Sequence, residues 1–228
     1  MTQELWSSVD SYIVGALSLA DPELEAAQAA SDAAGLPPIQ VSAAQGKFLE
    51  ILARMQSARR ILEVGTLGGY STIWMARTLP DDGVVVTLEV DPKHAEVASS
   101  NFRNAGVASR IDLRIGNAVE TLPLLAAEKP EPFDLIFIDA DKPSNPIYFD
   151  WGLKMSRAGT LIIVDNVVHD GAVIDAESED ASVIGVRRLN DMMAANSDIV
   201  STVLQTVGVK GYDGFAMAYV LVPPRQNR

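Results

Sequence analysis

Residues 61–71 read Ile61-Leu62-Glu63-Val64-Gly65-Thr66-Leu67-Gly68-Gly69-Tyr70-Ser71, and the fold turns on this stretch. A short apolar run enters a glycine-rich turn, and a segment of helical length follows. Glycine lets a backbone approach a ligand closely, and the helix that follows turns free N–H groups toward an anionic group. The same alternation repeats downstream. Val84 to Val90, Ile111 to Ile115, Leu135 to Ile138 and Leu161 to Val164 are short aliphatic or β-branched runs. Segments of helical length lie between them, near 70–79, 93–105, 117–128 and 145–157. Near-continuous apolar strands suit a sheet covered on both faces, so the pattern predicts a doubly wound, Rossmann-like α/β fold. After a helix near 182–196 come Ile199 to Val207 and Phe215 to Val222. The link between these two is too short for a crossover helix, which predicts a seven-stranded sheet with an antiparallel last strand.

Upstream, Leu5, Val9, Tyr12, Ile13 and Ala16 recur at helical spacing, and an alanine-rich helix is expected from Asp21 to Ala34, stopped by Gly35 and Pro37-Pro38. A third extra N-terminal helix is expected from Ala43 to Met55, with Phe48, Leu49 and Leu52 inward. The expected organisation is one domain, residues 1–56 forming a helical cap over substrate and cofactor and residues 57–228 the core. A chain of 228 residues, 48% of them hydrophobic, can bury one sizeable core. The absence of cysteine removes disulfides, thiolate metal sites and cysteine nucleophiles together. The formal charge is -12 and no Lys or Arg precedes Lys47, which argues against a secretory signal and against nucleic acid as the main partner. No apolar run approaches the roughly 20 residues needed to span a bilayer. The expectation is a cytoplasmic protein that acts on a small molecule, with neither nucleic acid nor membrane as partner.

Glu89 ends the second strand, just over twenty residues after Gly65, where an acid can bond both ribose hydroxyls of a nucleoside. That position serves NAD or S-adenosylmethionine (SAM) equally well. Glu63, two residues before the first glycine, faces a cationic amine better than a pyrophosphate and so favours SAM. A nicotinamide-dependent dehydrogenase on a similar sheet is the alternative, although the glycines do not match G-x-G-x-x-G. Asp139-Ala140-Asp141-Lys142 ends the fourth strand and Asp165-Asn166 the fifth, on the rim where the glycine turn opens. Asp139, Asp165 and Asn166 then offer three hard oxygen ligands, a set that suits Mg²⁺. Asp and Asn are also common turn formers at strand ends, and Lys142 can be read either as a solvated loop lysine or as a base. His94 reads as a surface residue, and His169 as an exposed or substrate-contacting loop residue.

These motifs together resemble the class I SAM-dependent methyltransferases, specifically the catechol and caffeoyl-CoA O-methyltransferase-like group. The resemblance runs from Val41-Ser42-Ala43-Ala44-Gln45-Gly46-Lys47-Phe48-Leu49 through Glu63-Val64-Gly65-Thr66, Asp139-Ala140-Asp141-Lys142 and Asp165-Asn166 to Gly211-Tyr212-Asp213-Gly214. It implies a cofactor-binding set of Val41, Glu63, Gly65, Thr66, Gly69, Ser71, Glu89, Ala118 and Asp139. It also implies Asp139, Asp165 and Asn166 as metal ligands, Lys142 as general base, Asp141 as a substrate contact, and a homodimer. The activity it implies is Mg²⁺-dependent O-methylation of a phenolic small molecule with two adjacent hydroxyls, of catechol, flavonoid or caffeoyl type. This chain has Ile39-Gln40 where many relatives carry Met, and Val167 where many carry Trp, both beside the expected acceptor pocket.

Overall fold

A computed structural model describes residues 2–19 and 21–222. Three helices, α1 (Gln3–Ala16), α2 (Pro22–Ala33) and α3 (Ala43–Met55), precede the first strand. Each begins on a side-chain cap: Thr2, Asp21 and Ser42 accept backbone N–H groups of the first turn, satisfying donors that a helix start leaves open. The core follows as β1 (Arg60–Val64), α4 (Tyr70–Ala76), β2 (Val84–Glu89), α5 (Pro92–Asn104), β3 (Ile111–Ile115), α6 (Ala118–Ala127), β4 (Phe133–Ile138), α7 (Asn145–Lys154), β5 (Ser156–Asp165), α8 (Ala181–Ala195), β6 (Ile199–Gly208) and β7 (Gly211–Val220).

The seven strands lie in the order β3-β2-β1-β4-β5-β7-β6. Pairing is parallel from β3 across to β5, and β7 is antiparallel to both its neighbours, as the short link after β6 requires. Alternate residues of each strand enter opposite layers. Leu62, Ile136 and Ile162 pack with Leu122, Phe149 and Leu189 on one face, while Ile61, Leu135 and Ile163 pack with Leu49, Ile73 and Phe102 on the other. Helices therefore cover both faces, which is why the central strands read as unbroken apolar runs.

The first helix forms as its spacing predicts but packs loosely, and one helix end differs from the expected one. The apolar stripe of α1 does not enter a core: no residue of that helix is buried, and Tyr12 is 74% exposed. The helix expected to reach residue 157 instead ends at Lys154, because Ser156 already pairs with Phe133 and β5 extends over ten residues.

Chain order reverses between β1 and β4, and the C-terminal ends of both open on one rim. Asp139 N donates to Val64 O at 2.8 Å, and Gly65 N donates to Leu88 O at 3.0 Å. Gly65 has φ +101, and a Cβ there would stand 2.0 Å from the Asp139 carbonyl oxygen. A Gly65→Ala variant should therefore lose about 2 kcal/mol or more in chemical denaturation, from a strained φ together with a clash against main chain.

Candidate functional site

A cavity of about 550 Å³ sits on this rim, roofed by Ile39, Gln40 and Val41 from the segment between α2 and α3. Val41, Gly65, Thr66, Ser71, Glu89, Ala118, Asp139, Asp141, Lys142 and Asn166 are on its wall. The topology accounts for their meeting: Gly65, Glu89, Asp139 and Asp165 stand at or just past the ends of four parallel strands.

Glu89 closes the glycine turn. Its Oε2 accepts the N–H groups of Leu67 at 2.7 Å and Thr66 at 3.2 Å, and its Oε1 accepts that of Asp91 at 2.9 Å. Two N–H groups of the turn itself, ahead of α4, are thus spent on a carboxylate. A pyrophosphate would meet negative charge here.

Glu63, expected near a bound amine, lies behind the wall, in contact with the wall residue Ser71. It is fully buried, and its carboxylate accepts hydroxyls from Ser71 at 2.6 Å, from Thr87 at 2.6 Å and from Thr72. Burial pushes its carboxyl up to about 7, against the opposing pull of those three hydroxyls. Ser71, which is on the wall, spends its proton on Glu63 and so turns lone pairs toward the cavity. Gly69 is also off the wall. It caps α4 with φ +82, and a Cβ there would meet the Phe102 ring at 2.3 Å, so packing at this turn requires glycine.

On the other side of the cavity, Lys142 Nζ donates to Asp139 Oδ1 at 2.8 Å. Asp165 sits just behind the wall, 5% exposed, with Oδ1 accepting the Asn166 N–H at 2.9 Å and Oδ2 accepting Gln45 Nε2 at 2.6 Å. Burial, and after it the charge of Asp139, hold the Asp165 carboxyl well above the usual carboxylate range. Two carboxylates and an amide thus gather at adjacent strand ends, with one lysine between them. Among the described residues no three of His, Cys, Asp and Glu gather as a metal-binding group. The cation-holding set read from the sequence takes its third ligand from an amide, Asn166. Asn166 itself adopts φ +56, a conformation Asn tolerates better than most residues.

Several wall residues escaped the sequence reading. Tyr148, 3% exposed, donates its phenol to Asp141, and burial followed by Asp141 holds that phenol above the usual range. His94 is on the wall rather than on the outer surface, with Nδ1 3.4 Å from Glu89 Oε1. The signal for His94 was its distance from Glu89, since Asp91 and Pro92 start a helix whose first turn faces back. His169 does not line the cavity, and its Nε2 is enclosed without a hydrogen-bond partner. The Gly211–Gly214 motif acts through Asp213 Oδ1, which accepts N–H groups from Val168 at 2.9 Å, His169 at 3.2 Å and Gly214 at 2.8 Å. It thereby pins the loop that follows Asn166. No helix among the described residues is long and apolar enough to cross a membrane.

A family model described as O-methyltransferase matches residues 19–218. A catechol O-methyltransferase from Niastella koreensis is 52% identical over 220 residues, covering 96% of this chain and 100% of that protein. The crystal structure of an O-methyltransferase from Bacillus cereus in complex with SAH superposes with a TM-score of 0.94 at 52% identity, covering 96% of this chain and 100% of that one. One from Streptomyces achromogenes, involved in tomaymycin synthesis and in complex with SAM, gives 0.93 at 50% identity, covering 97% and 99%. The dehydrogenase alternative finds no support among them.

The buried Glu63 gives a pH signature. Its folded-state pKa is raised, so the stability it contributes is fully present below its ordinary value of 4.5 and is lost as pH climbs through about 7. A Glu63→Gln variant lacks that loss. Across pH 5 to 8.5 the variant should gain on the wild type by up to roughly 3 kcal/mol, at about 1.4 kcal/mol per pH unit of displacement. Thermal melting of both proteins over that range measures it, and a gap that does not change with pH contradicts the assignment.

Proposed function

The chain belongs to the O-methyltransferase family, and we propose that it is a cation-dependent member that methylates one of two adjacent hydroxyls on a phenolic small molecule. Membership carries the enzyme class, a SAM-dependent methyltransferase of catechol O-methyltransferase type. The observation that carries the rest is the meeting of Asp139, Asp165, Asn166 and Lys142 at the ends of two adjacent strands beside a nucleoside-sized cavity.

Glu89, held by three backbone N–H groups, is assigned to the ribose hydroxyls. Ser71 presents oxygen lone pairs, and with Asp139 it suits the ammonium at the methionine end. Gly65 and Thr66 offer close main-chain approach, Ala118 frames the adenine, and Val41 covers the cofactor from above. Residues 1–56 are read as the cap because Ile39, Gln40 and Val41 roof the cavity.

Asp139, Asp165 and Asn166 are assigned to hold one divalent cation, Mg²⁺ by the hardness of three oxygen donors. When bound, such an ion supplies stabilisation of negative charge on an acceptor oxygen and a point on which two adjacent oxygens converge. Lys142 Nζ, 2.8 Å from Asp139 Oδ1, is the base that in its neutral form takes the proton of the reacting hydroxyl. Asp141, oriented by the Tyr148 phenol, contacts the acceptor. Positioning and electrostatics then account for most of the rate, with no covalent enzyme intermediate. Among the described residues Lys142 is the one Lys or Arg on the cavity wall. A CoA ester with its phosphates wants more positive charge than that, so a catechol or flavonoid is favoured.

The proposed homodimer is supported by β6. This ten-residue edge strand carries no charged residue and leaves Val200, Val203, Leu204 and Val207 exposed, an edge of the kind that proteins normally cover. Light scattering on the purified chain should return twice the chain mass, and a monomer mass removes this part of the reading.

Two substitutions separate the assigned roles. Asp165→Ala should lower methyl transfer at least 100-fold while calorimetry shows SAM affinity within about threefold. Glu89→Ala should instead weaken SAM binding by tenfold or more, from the loss of charge-assisted hydrogen bonds. Unchanged turnover in the first variant, or unchanged SAM affinity in the second, contradicts the corresponding role.

A further inference from the structure

The two carboxylates of the rim are held in different ways. Asp139 meets a charged partner, the Lys142 ammonium at 2.8 Å. Asp165 is bonded by two neutral donors, the backbone N–H of Asn166 at 2.9 Å and the side-chain amide of Gln45 at 2.6 Å. Each Asp165 oxygen therefore keeps lone-pair capacity free, and neither partner brings a positive charge to it.

Gln45 comes from the first turn of α3, 120 residues away in the chain. Its own N–H is accepted by the Ser42 cap at 3.2 Å. Gln40 and Val41, just ahead of that cap, are on the cavity wall. One helical turn thus carries the cofactor cover and reaches the buried carboxylate.

We propose that Gln45 is a positioning residue for the divalent-cation site, fixing the Asp165 carboxylate in a ligating orientation through a neutral hydrogen bond. This inference rests on the cation reading above. A carboxylate that loses such a partner is free to rotate, and loss of partners around metal ligands commonly weakens metal binding 10- to 100-fold. A neutral amide suits the task, because a lysine or arginine at the same distance would compete with the cation for Asp165.

The test is Mn²⁺ binding, followed by the electron paramagnetic resonance signal of free Mn²⁺, to the full chain saturated with SAH. Wild type is compared with Gln45→Met, which keeps length and removes the donor, and with Gln45→Ala, which carries the same prediction should the Met variant misfold. Both variants should bind Mn²⁺ at least tenfold more weakly. Their SAH affinity by calorimetry should stay within twofold, and their thermal midpoints close to wild type. Equal Mn²⁺ affinity in a folded variant overturns the role of Gln45 alone and leaves the cation reading standing. An equal fall in SAH affinity also overturns it, by showing general loss of order. A wild type that binds no Mn²⁺ overturns the cation reading and the inference together.

Discussion

No side chain fits between residue 65 and the main chain of Asp139: a Cβ at Gly65 would stand 2.0 Å from the Asp139 carbonyl oxygen. This close approach brings the ends of β1 and β4 together where the sheet order reverses, and the rest of the site is arranged around it. On one side the turn from Gly65 leads to Thr66 and Leu67, whose N–H groups lock onto Glu89 at the end of β2. On the other, Asp139 stands beside Asp165 because β4 and β5 pair in parallel up to Ile138 and Val164. The two halves of the cavity, those proposed for nucleoside and for acceptor, share one stretch of backbone.

The acids of the rim are held largely by uncharged partners. Glu63 is bonded by three hydroxyls, Glu89 by backbone N–H groups, and Asp165 by an amide and a backbone N–H. Lys142 on Asp139 is the ammonium bonded within this group. Neutral donors fix these groups in place without adding an opposing charge. Burial holds the Glu63 and Asp165 carboxyls above their usual range, so that a nearby cation would favour their ionised forms. A rim of this kind favours cationic ligands, which is consistent with a sulfonium cofactor that carries an ammonium and with the divalent ion proposed beside it.

Much of this was legible in the sequence because it depends on period and on strand ends. Apolar runs at β1, β2, β4 and β5 marked a sheet covered on both sides, and residues just past such runs fall on one rim by topology. Glu89, Asp139 and Lys142 reached the wall for that reason, whereas Val41 was expected near the cofactor only from the family resemblance. Glu63 was placed on the correct strand, but chain position does not tell which way a strand-end carboxylate turns; three hydroxyls from α4 and β2 decide that it points inward. Gln45 carried no signal of its own, since its partner lies 120 residues away and helical periodicity marks it only as a residue of the first turn. The stripe on α1 marks a helix correctly, but spacing alone does not tell whether a helix is buried, and no residue of this one is buried in the chain.

The central claim joins methyl transfer to a divalent cation and to two adjacent oxygens on the acceptor. Its most direct test is methyl transfer from SAM by the purified chain to catechol and to phenol, each with Mg²⁺ and with a chelator. The account predicts a methylated product from catechol with Mg²⁺ and at least a hundredfold less in the other three reactions. Equal transfer to phenol, or equal transfer to catechol in the chelator, would contradict it.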